Sequence, residues 1–278
     1  MPRNATASLI VLTLSLALPA VTGGCAGPAP TLHVATLNMA HGRGPGLLPM
    51  VIPDKRFEVN VDRIAEVLSR EQPDIVALQE ADATSSWSGR FDHVRRLQRA
   101  AGFAHRYHGL HLDTTKLGVR LRYGTALLAR QPLEAPATHA FDVGVLDAKG
   151  LVFARVELDG RPLLVASVHL DAKSARKRRK QAEQLIDRLS TTRLPIVLMG
   201  DFNCQWDKRS PLKLLVERLD LQAYQPQSSG WATWPAGEPK RRIDWILVSR
   251  ELEFVDHRVW PDRLSDHLAV SAVVRWRD

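Results

Sequence analysis

The sequence predicts an α/β protein in which two β-sheets pack together and helices cover their outer faces. Short apolar segments alternate with amphipathic segments from Leu32 to the C-terminus. Several strand-like segments, such as Ile75–Leu78 and Ile196–Met199, are apolar throughout, as is typical of strands covered on both faces. With 278 residues, of which 45% are hydrophobic and 24% charged, the chain can form one large globular domain and is not a disordered protein.

Three helices are predicted from the helical spacing of apolar residues. In Phe57–Arg70, the residues Val61, Ile64 and Leu68 recur on one face before Pro73 ends the pattern. The other predicted helices are Phe91–Ala101 and the basic amphipathic segment Ala175–Leu189. The predicted strands are Leu32–Leu37, Ile75–Leu78, Tyr123–Ala129, Leu151–Leu158, Leu163–Leu170, Ile196–Met199, Ile243–Val248, Glu253–Val259 and Leu268–Val274.

The N-terminus has the pattern of an export signal. Arg3 precedes an uncharged apolar run, Leu9–Leu18, which is followed by Pro19 and small residues up to Gly24. A membrane-spanning helix needs about 20 apolar residues, so this run favours a signal peptide over an anchor. We therefore expect a signal peptide over residues 1–24, a short tether over 25–31 and a folded domain over 32–278. The expected location is the periplasm, the outer membrane as a lipoprotein, or the medium.

The four residues Thr22–Cys25 resemble a bacterial lipobox, with threonine as a departure at the first position. Lipidation of Cys25 and simple cleavage near this point both stay open, and membrane contact is expected only through such a lipid anchor. The other cysteine is Cys204, and two isolated cysteines offer no paired spacing for zinc.

The net charge favours anionic partners. Removal of residues 1–24 takes away Arg3 and no acidic residue, so the formal net charge falls from +8 to +7. A basic surface attracts nucleic acid, anionic lipid or lipopolysaccharide without choosing among them, and it also serves solubility.

Polar residues repeatedly stand at the ends of the predicted strands. Each one taken alone is explained by turn chemistry or by a structural histidine. Together they provide the hard oxygen ligands and the donor groups that magnesium-assisted phosphate chemistry requires. They are Asn38, Glu80, His169, Asp201, Asn203, Asp244, Asp266 and His267.

The motifs around these residues resemble, in order, those of the endonuclease/exonuclease/phosphatase superfamily of deoxyribonuclease-I-like phosphoesterases. The resemblance extends from Leu32 to the C-terminus. A further segment, Tyr123–Arg130, fits the same family but has Thr125 where an asparagine is common. The motifs are Leu37-Asn38-Met39, Leu78-Gln79-Glu80, Val168-His169-Leu170, Gly200-Asp201-Phe202-Asn203, Arg242-Ile243-Asp244-Trp245-Ile246 and Ser265-Asp266-His267.

The resemblance implies a fold and a cofactor. The fold would be a four-layer sandwich of two packed, mostly antiparallel β-sheets flanked by helices. Glu80 would be the principal ligand of a Mg²⁺ or Mn²⁺ ion, and Asn38 and Asp266 would complete the coordination shell directly or through water.

The resemblance also implies a role for each catalytic residue. Asp201 would orient and deprotonate the attacking water, and Asn203 would hold it in line or bind a phosphate oxygen. His267, oriented by Asp244, would bind the phosphate and transfer a proton. His169 would stabilise the pentavalent transition state or assist the leaving oxygen.

Three residues outside the motifs are expected to contact the substrate. Arg179, in the basic helix, and Arg242 could steer an anionic substrate, although basic runs are usually solvated. Trp231 could stack on a base or contact lipid, although it could also pack under its own loop. His41, in the glycine-rich stretch after Asn38, is a further candidate for contacting phosphate.

Two classes of function stay open at this stage. The leading one is a monomeric phosphodiesterase or phosphomonoesterase, and the other is a catalytically silent binding module of the same fold. Among enzymes, the motifs do not choose between a nuclease, a sugar-phosphate or inositol-phosphate phosphatase and a phospholipid hydrolase.

Overall fold

The computed structural model describes Met1 and residues 29–46, 52–142 and 149–278. The predicted signal peptide beyond Met1, Cys25 and most of the predicted tether lie outside the described residues. None of the described helices combines the length and the apolar character that a membrane span requires.

The described residues form two six-stranded sheets and four α-helices. The helices are α1 (Asp54–Glu71), α2 (His93–Ala100), α3 (Ala175–Leu189) and α4 (Pro211–Arg218). The strands are β1 (Leu32–Asn38), β2 (Ile75–Asp82), β3 (His105–Lys116), β4 (Val119–Ala129), β5 (Glu134–Ala140), β6 (Gly150–Leu158), β7 (Arg161–His169), β8 (Ile196–Asp201), β9 (Leu221–Ala223), β10 (Asp244–Ser249), β11 (Leu252–Val259) and β12 (Val270–Trp276).

The two sheets share the same plan. The strand order is β11-β12-β1-β2-β4-β3 in the first sheet and β5-β6-β7-β8-β10-β9 in the second. Among these strands, β1 pairs with β2 and β7 pairs with β8 in parallel, while the other neighbours are antiparallel. A helix connects the strands of each parallel pair, α1 in the first sheet and α3 in the second, because parallel neighbours need a crossover.

The sheets pack face to face through an apolar core. Val34 and Leu127 of the first sheet and Val165 and Met199 of the second are fully buried in this core. Because successive side chains of a strand point to opposite faces, the alternate residues form two further cores beneath the helices. The resulting order of layers is helix, sheet, sheet, helix, which confirms the predicted four-layer sandwich.

Each helix begins and ends for a local reason. In α1, Val61, Ile64 and Leu68 face the first sheet, and the helix ends where Gln72 adopts a left-handed conformation with φ of 53°. In α3, the hydroxyl of Ser174 accepts a hydrogen bond from the backbone N–H of Lys177 and caps the N-terminus. The α3 boundaries agree with the prediction.

Some elements were not predicted. The strands β5 and β9 and the helix α4 are short or carry weak apolar periodicity, since their burial depends on neighbours that are distant in sequence. The predicted strand Ile75–Leu78 also continues to Asp82, so that Glu80 lies within β2 rather than after it.

Candidate active site

Four of the predicted residues meet where the parallel strands end. Asn38 is the last residue of β1, His169 the last of β7 and Asp201 the last of β8, while Glu80 lies near the end of β2. Parallel neighbours end at the same edge of their sheet, and the two sheets present these edges side by side. The shared plan of the sheets therefore explains why residues so distant in sequence converge.

The antiparallel neighbours bring the remaining predicted residues to the same edge. Asp244, the first residue of β10, pairs directly with Asp201 in the β8–β10 register. Asn203 follows β8, and its backbone N–H donates a 2.9 Å hydrogen bond to Oδ1 of Asp201. His267 precedes β12 and lies against both Asp201 and Asp244.

Two hydrogen bonds join the sheets within the site. Nδ2 of Asn38, on the first sheet, donates to Oδ2 of Asp201, on the second, over 2.9 Å. Nδ1 of His267, from the first sheet, lies 3.0 Å from Oδ2 of Asp244, on the second. All four side chains are buried, so these contacts fix the relative position of the reactive groups.

The backbone is strained at Glu80 and Asn203, and also at His41, which has φ of 55°. Glu80 has φ of 49°, and the β2–β4 register shifts between Leu78 and Ala81, which is a β-bulge. Asn203 has φ of 52°. Bulges and left-handed non-glycine residues re-aim side chains at a cost of roughly 1–3 kcal/mol each, and they concentrate at functional sites.

Gly200, which precedes Asp201, allows β8 to approach β7 closely. A Cβ atom at this position would lie 1.9 Å from the carbonyl oxygen of Val168. A side chain here would therefore push apart the two strands that present His169 and Asp201.

His267 carries a positive charge at neutral pH. Burial lowers its pKa, but the carboxylates of Asp244 and Asp201, together with the hydrogen bond to Asp244, raise it by more. The resulting pKa is about 10. Its Nε2 lies 3.8 Å from Oδ2 of Asp201. The residue is an imidazolium that can donate a hydrogen bond to an anion.

His169 has the opposite character. Burial and the neighbouring ammonium of Lys149 lower its pKa, and the attraction of Asp201 and Glu80 does not compensate. Its Nε2 lies 3.3 Å from Oδ2 of Asp201 and 3.2 Å from Nδ2 of Asn203. The site thus contains one cationic and one neutral imidazole around a single carboxylate.

Asp201 is ionised. Burial raises its pKa, but His267, His169 and Asn38 lower it by more. The resulting pKa is about 2. A carboxylate with so low a pKa is a strong hydrogen-bond acceptor and a weak base.

Glu80 and Asp266 form a second acidic pair. Burial raises the pKa of Glu80, but His41, Lys149 and two further histidines bring it well below its ordinary value. For Asp266, burial and the charge of Glu80 prevail over His267, and the pKa is raised. Two neighbouring carboxylates repel each other, and a divalent cation bound between them would relieve this repulsion.

Asp201, Asp244 and His267 also have the spacing of a metal site, since one ligand atom of each lies within 4.8 Å of the others. In this arrangement Nδ1 of His267 is hydrogen-bonded to Asp244. This group and the pair of Glu80 and Asp266 are therefore two candidate cation sites.

A sequence model of the Endonuclease/Exonuclease/phosphatase family matches residues 35–267, which is most of the chain. The chain belongs to this family. No curated protein matches it.

Solved structures show the same fold. An endonuclease/exonuclease/phosphatase from Beutenbergia cavernae matches with a TM-score of 0.70 and 24% identity over 89% of this chain and 72% of that one. The human Nocturnin catalytic domain with bound sulfate matches with a TM-score of 0.69 and 21% identity over 90% and 96%. A mannosyl-6-phosphatase from Bacteroides thetaiotaomicron matches with a TM-score of 0.67 and 16% identity over 88% and 100%.

Several site residues of this family member were missed or underrated in the sequence. Lys149 reaches Glu80 and His169, although it belongs to no motif. Nδ1 of His41 lies 2.6 Å from Asp82, and its Nε2 lies 3.4 Å from Glu80. Asp82 lies two residues after Glu80 in β2, and His41 contacts both carboxylates.

The hydroxyl of Thr125 is hydrogen-bonded within the protein. It is buried, and its Oγ1 lies 2.9 Å from Nε2 of His111. The strand β3 carries this histidine beside β4, so the segment that contains His105, His108 and His111 is a strand.

Arg242 is held by contacts within the protein, and its substrate-binding role stays a prediction. Its guanidinium is buried, lies 3.9 Å from the Trp245 ring and donates to the backbone carbonyls of Tyr224 and Gln225. Burial lowers its pKa to about 9. The residue packs the base of a loop, and the basic cluster in the sequence gave no sign of this.

Arg179 and Trp231 are also held by neighbours. Arg179 is exposed on α3 and forms an ion pair with Glu183 one turn away. Trp231 packs edge-on against Tyr224 and His257, which is the alternative in which the ring packs under its own loop. Neither residue has a described contact with the acidic cluster.

Proposed function

We propose that this family member is an exported, divalent-metal-dependent phosphoesterase that hydrolyses a phosphodiester or phosphomonoester by in-line attack of water. The observation that carries the proposal is the pair of hydrogen bonds, Asn38 to Asp201 and His267 to Asp244, which joins the acidic and histidine residues of both sheets. Phosphoryl transfer depends on positioned charge more than on covalent chemistry, and this network positions charge.

The donor set fits a hard cation. The carboxylates of Glu80 and Asp266 would hold Mg²⁺ or Mn²⁺, with Asn38 in the same shell directly or through water. The Oδ1 of Asn38 accepts one hydrogen bond, from the Ala40 N–H, and an amide oxygen has two lone pairs. The ion would neutralise phosphate charge and activate water.

Asp201 and Asn203 would position the attacking water. The carboxylate of Asp201 is held by Asn38 and by both the backbone and the side chain of Asn203. With a pKa of about 2, Asp201 is better suited to accepting a hydrogen bond from the water than to removing a proton from the water. Its role in deprotonating the water stays a prediction.

The two histidines would have different roles towards the phosphate. His267, the imidazolium supported by Asp244, would donate to a phosphate oxygen and can supply a proton. His169 would stabilise the developing charge, and its ring is oriented by Lys149 and Asn203, whose nitrogens lie within hydrogen-bond distance of its Nε2. Opposite pKa shifts in neighbouring groups are how acid and base roles separate.

A substrate panel tests the proposal. Aryl phosphomonoesters, bis-aryl phosphodiesters, single-stranded and duplex nucleic acid, sugar phosphates such as mannose 6-phosphate, and phospholipids would be incubated with Mg²⁺ or Mn²⁺. We expect hydrolysis of at least one class, its loss with chelator and its loss in Asp201→Asn. If wild-type protein of verified fold cleaves none of them, the protein is a silent binding module and the proposal is wrong.

Export is proposed on the leader pattern. Expression of the full chain in a bacterial host, followed by fractionation and intact-mass measurement, would reveal a mature chain that begins near Cys25, with or without lipid. A full-length cytoplasmic product would contradict export. Sedimentation of the mature chain would test the proposed monomer.

A further inference from the structure

Lys149 has a fixed backbone position beside the site. It directly precedes β6, whose first residue, Gly150, pairs with His169. The Lys149 carbonyl accepts a 3.0 Å hydrogen bond from the Phe141 N–H. A Cβ on Gly150 would lie 2.6 Å from the His111 ring, so glycine is what allows this strand end to lie so close to β3.

The side chain of Lys149 turns into the acidic cluster. Its Nζ lies 2.8 Å from Nε2 of His169 and 3.6 Å from Oε1 of Glu80, and the side chain is 18% exposed. Within the described part of the chain, its hydrogen-bond contacts are with His169, and Glu80 lies just beyond hydrogen-bond range.

This arrangement leaves donor capacity on the ammonium. An ammonium has three N–H donors, and the ring nitrogens of His169 lie within hydrogen-bond distance of it. The ion pair with Glu80 spans 3.6 Å and does not use all of these donors. Lys149 stands between Glu80 and His169, which would both surround a bound phosphate.

We propose that Lys149 binds a non-bridging oxygen of the phosphate and favours a terminal phosphomonoester over an internal phosphodiester. This inference rests on the proposed function and narrows its substrate class. The Lys149 ammonium is a fixed cation in this cleft, in addition to any metal ion. A phosphomonoester carries close to two negative charges at neutral pH and a diester carries one, so this fixed cation attracts the monoester more strongly.

The test compares two substrates in matched variants. For wild type, Lys149→Met, Lys149→Arg and the exposed Lys180→Met, kcat/KM would be measured with an aryl phosphomonoester and a bis-aryl phosphodiester. We expect Lys149→Met to reduce kcat/KM for the monoester at least tenfold more than for the diester, mostly through KM. Lys149→Arg should recover part of the loss, and Lys180→Met should behave as wild type. Equal losses for both substrates would overturn the inference.

Equilibrium binding separates this inference from the proposed function. Calorimetric titration of inorganic phosphate into the wild-type and Lys149→Met proteins, each of verified thermal stability, requires no turnover. We expect binding to weaken at least tenfold in the variant. If wild type hydrolyses phosphoesters but phosphate affinity is unchanged, the role of Lys149 is wrong and the enzyme stands. If wild type hydrolyses nothing, the proposed function fails, and the phosphate titration still decides whether Lys149 binds the anion.

Discussion

Replacing Asp244 with asparagine removes one negative charge from beside His267 while keeping the shape of the side chain. The difference between the ordinary imidazole pKa of 6.5 and about 10 corresponds to roughly 5 kcal/mol in favour of the charged imidazole. Asp244 contributes both its charge and a hydrogen bond, whereas Asp201 contributes charge. Asp244 is the largest of the contributions that raise this pKa, so Asp244→Asn should lower the pKa of His267 substantially towards its ordinary value.

The assay is the pH dependence of kcat/KM for a substrate that the wild-type enzyme hydrolyses. If the imidazolium is the active form, wild-type activity should decline only as the pH approaches 10. In Asp244→Asn the decline should begin at a lower pH, so the ratio of the activity at pH 9 to the activity at pH 7 should be severalfold smaller than in the wild type. Asp220→Asn, the same change at an exposed ion pair, should leave the profile unchanged.

A stability measurement gives an independent check. Because the pKa of His267 is raised on folding, the stability that this group contributes is fully present below pH 6.5 and is lost as the pH rises through about 10. The free energy of unfolding of the wild type should therefore fall more steeply between pH 7 and 10 than that of Asp244→Asn. A variant with the same pH profile of activity as the wild type would refute the assignment of charge to His267.

Three further substitutions test the metal site, the strand packing and the buried arginine. Glu80→Gln should lower hydrolysis by at least a hundredfold and weaken Mn²⁺ binding, measured by calorimetry, while thermal stability is kept; wild-type turnover would contradict the ligand role. Gly200→Ala should destabilise the protein by about 2 kcal/mol or more in urea unfolding, because the new Cβ would lie 1.9 Å from a carbonyl, whereas Gly237→Ala, with nothing within 4 Å, should not. Arg242→Met should lower the free energy of unfolding by about 1–3 kcal/mol, because two backbone carbonyls lose their donor. We expect KM to stay within about twofold of the wild-type value. A large rise in KM would instead support the substrate-binding role.

The strand ends of the site could be predicted from sequence because they follow a local rule. Apolar strands covered on both faces are easily recognised, and the polar residue that ends such a strand must lie at the sheet edge. Asn38, His169 and Asp201 are such residues. The convergence of the edges from two sheets depended on the family resemblance, since one sequence does not reveal strand order.

The features that were missed depend on register and packing. The β2 bulge at Glu80 is set by pairing with β4, and neither strand signals it alone. Lys149 reaches the site because β6 pairs with β7 in the register that places Gly150 opposite His169. Arg242 lies in a run of three basic residues that suggests a solvated surface, yet the stacking of its guanidinium on Trp245 buries it.

Buried hydrogen bonds beneath the site also fix the position of the two sheets relative to each other. Nε2 of Gln79, on β2, donates to Oγ of Ser167, on β7, over 3.0 Å, and this hydroxyl donates to the carbonyl of Leu78 over 3.0 Å. Both side chains are fully buried. A displaced bridge would leave buried polar groups unpaired. Because Gln79 adjoins Glu80 and Ser167 lies two residues before His169, the bridge that holds the sheets in register also sets the separation of their reactive side chains.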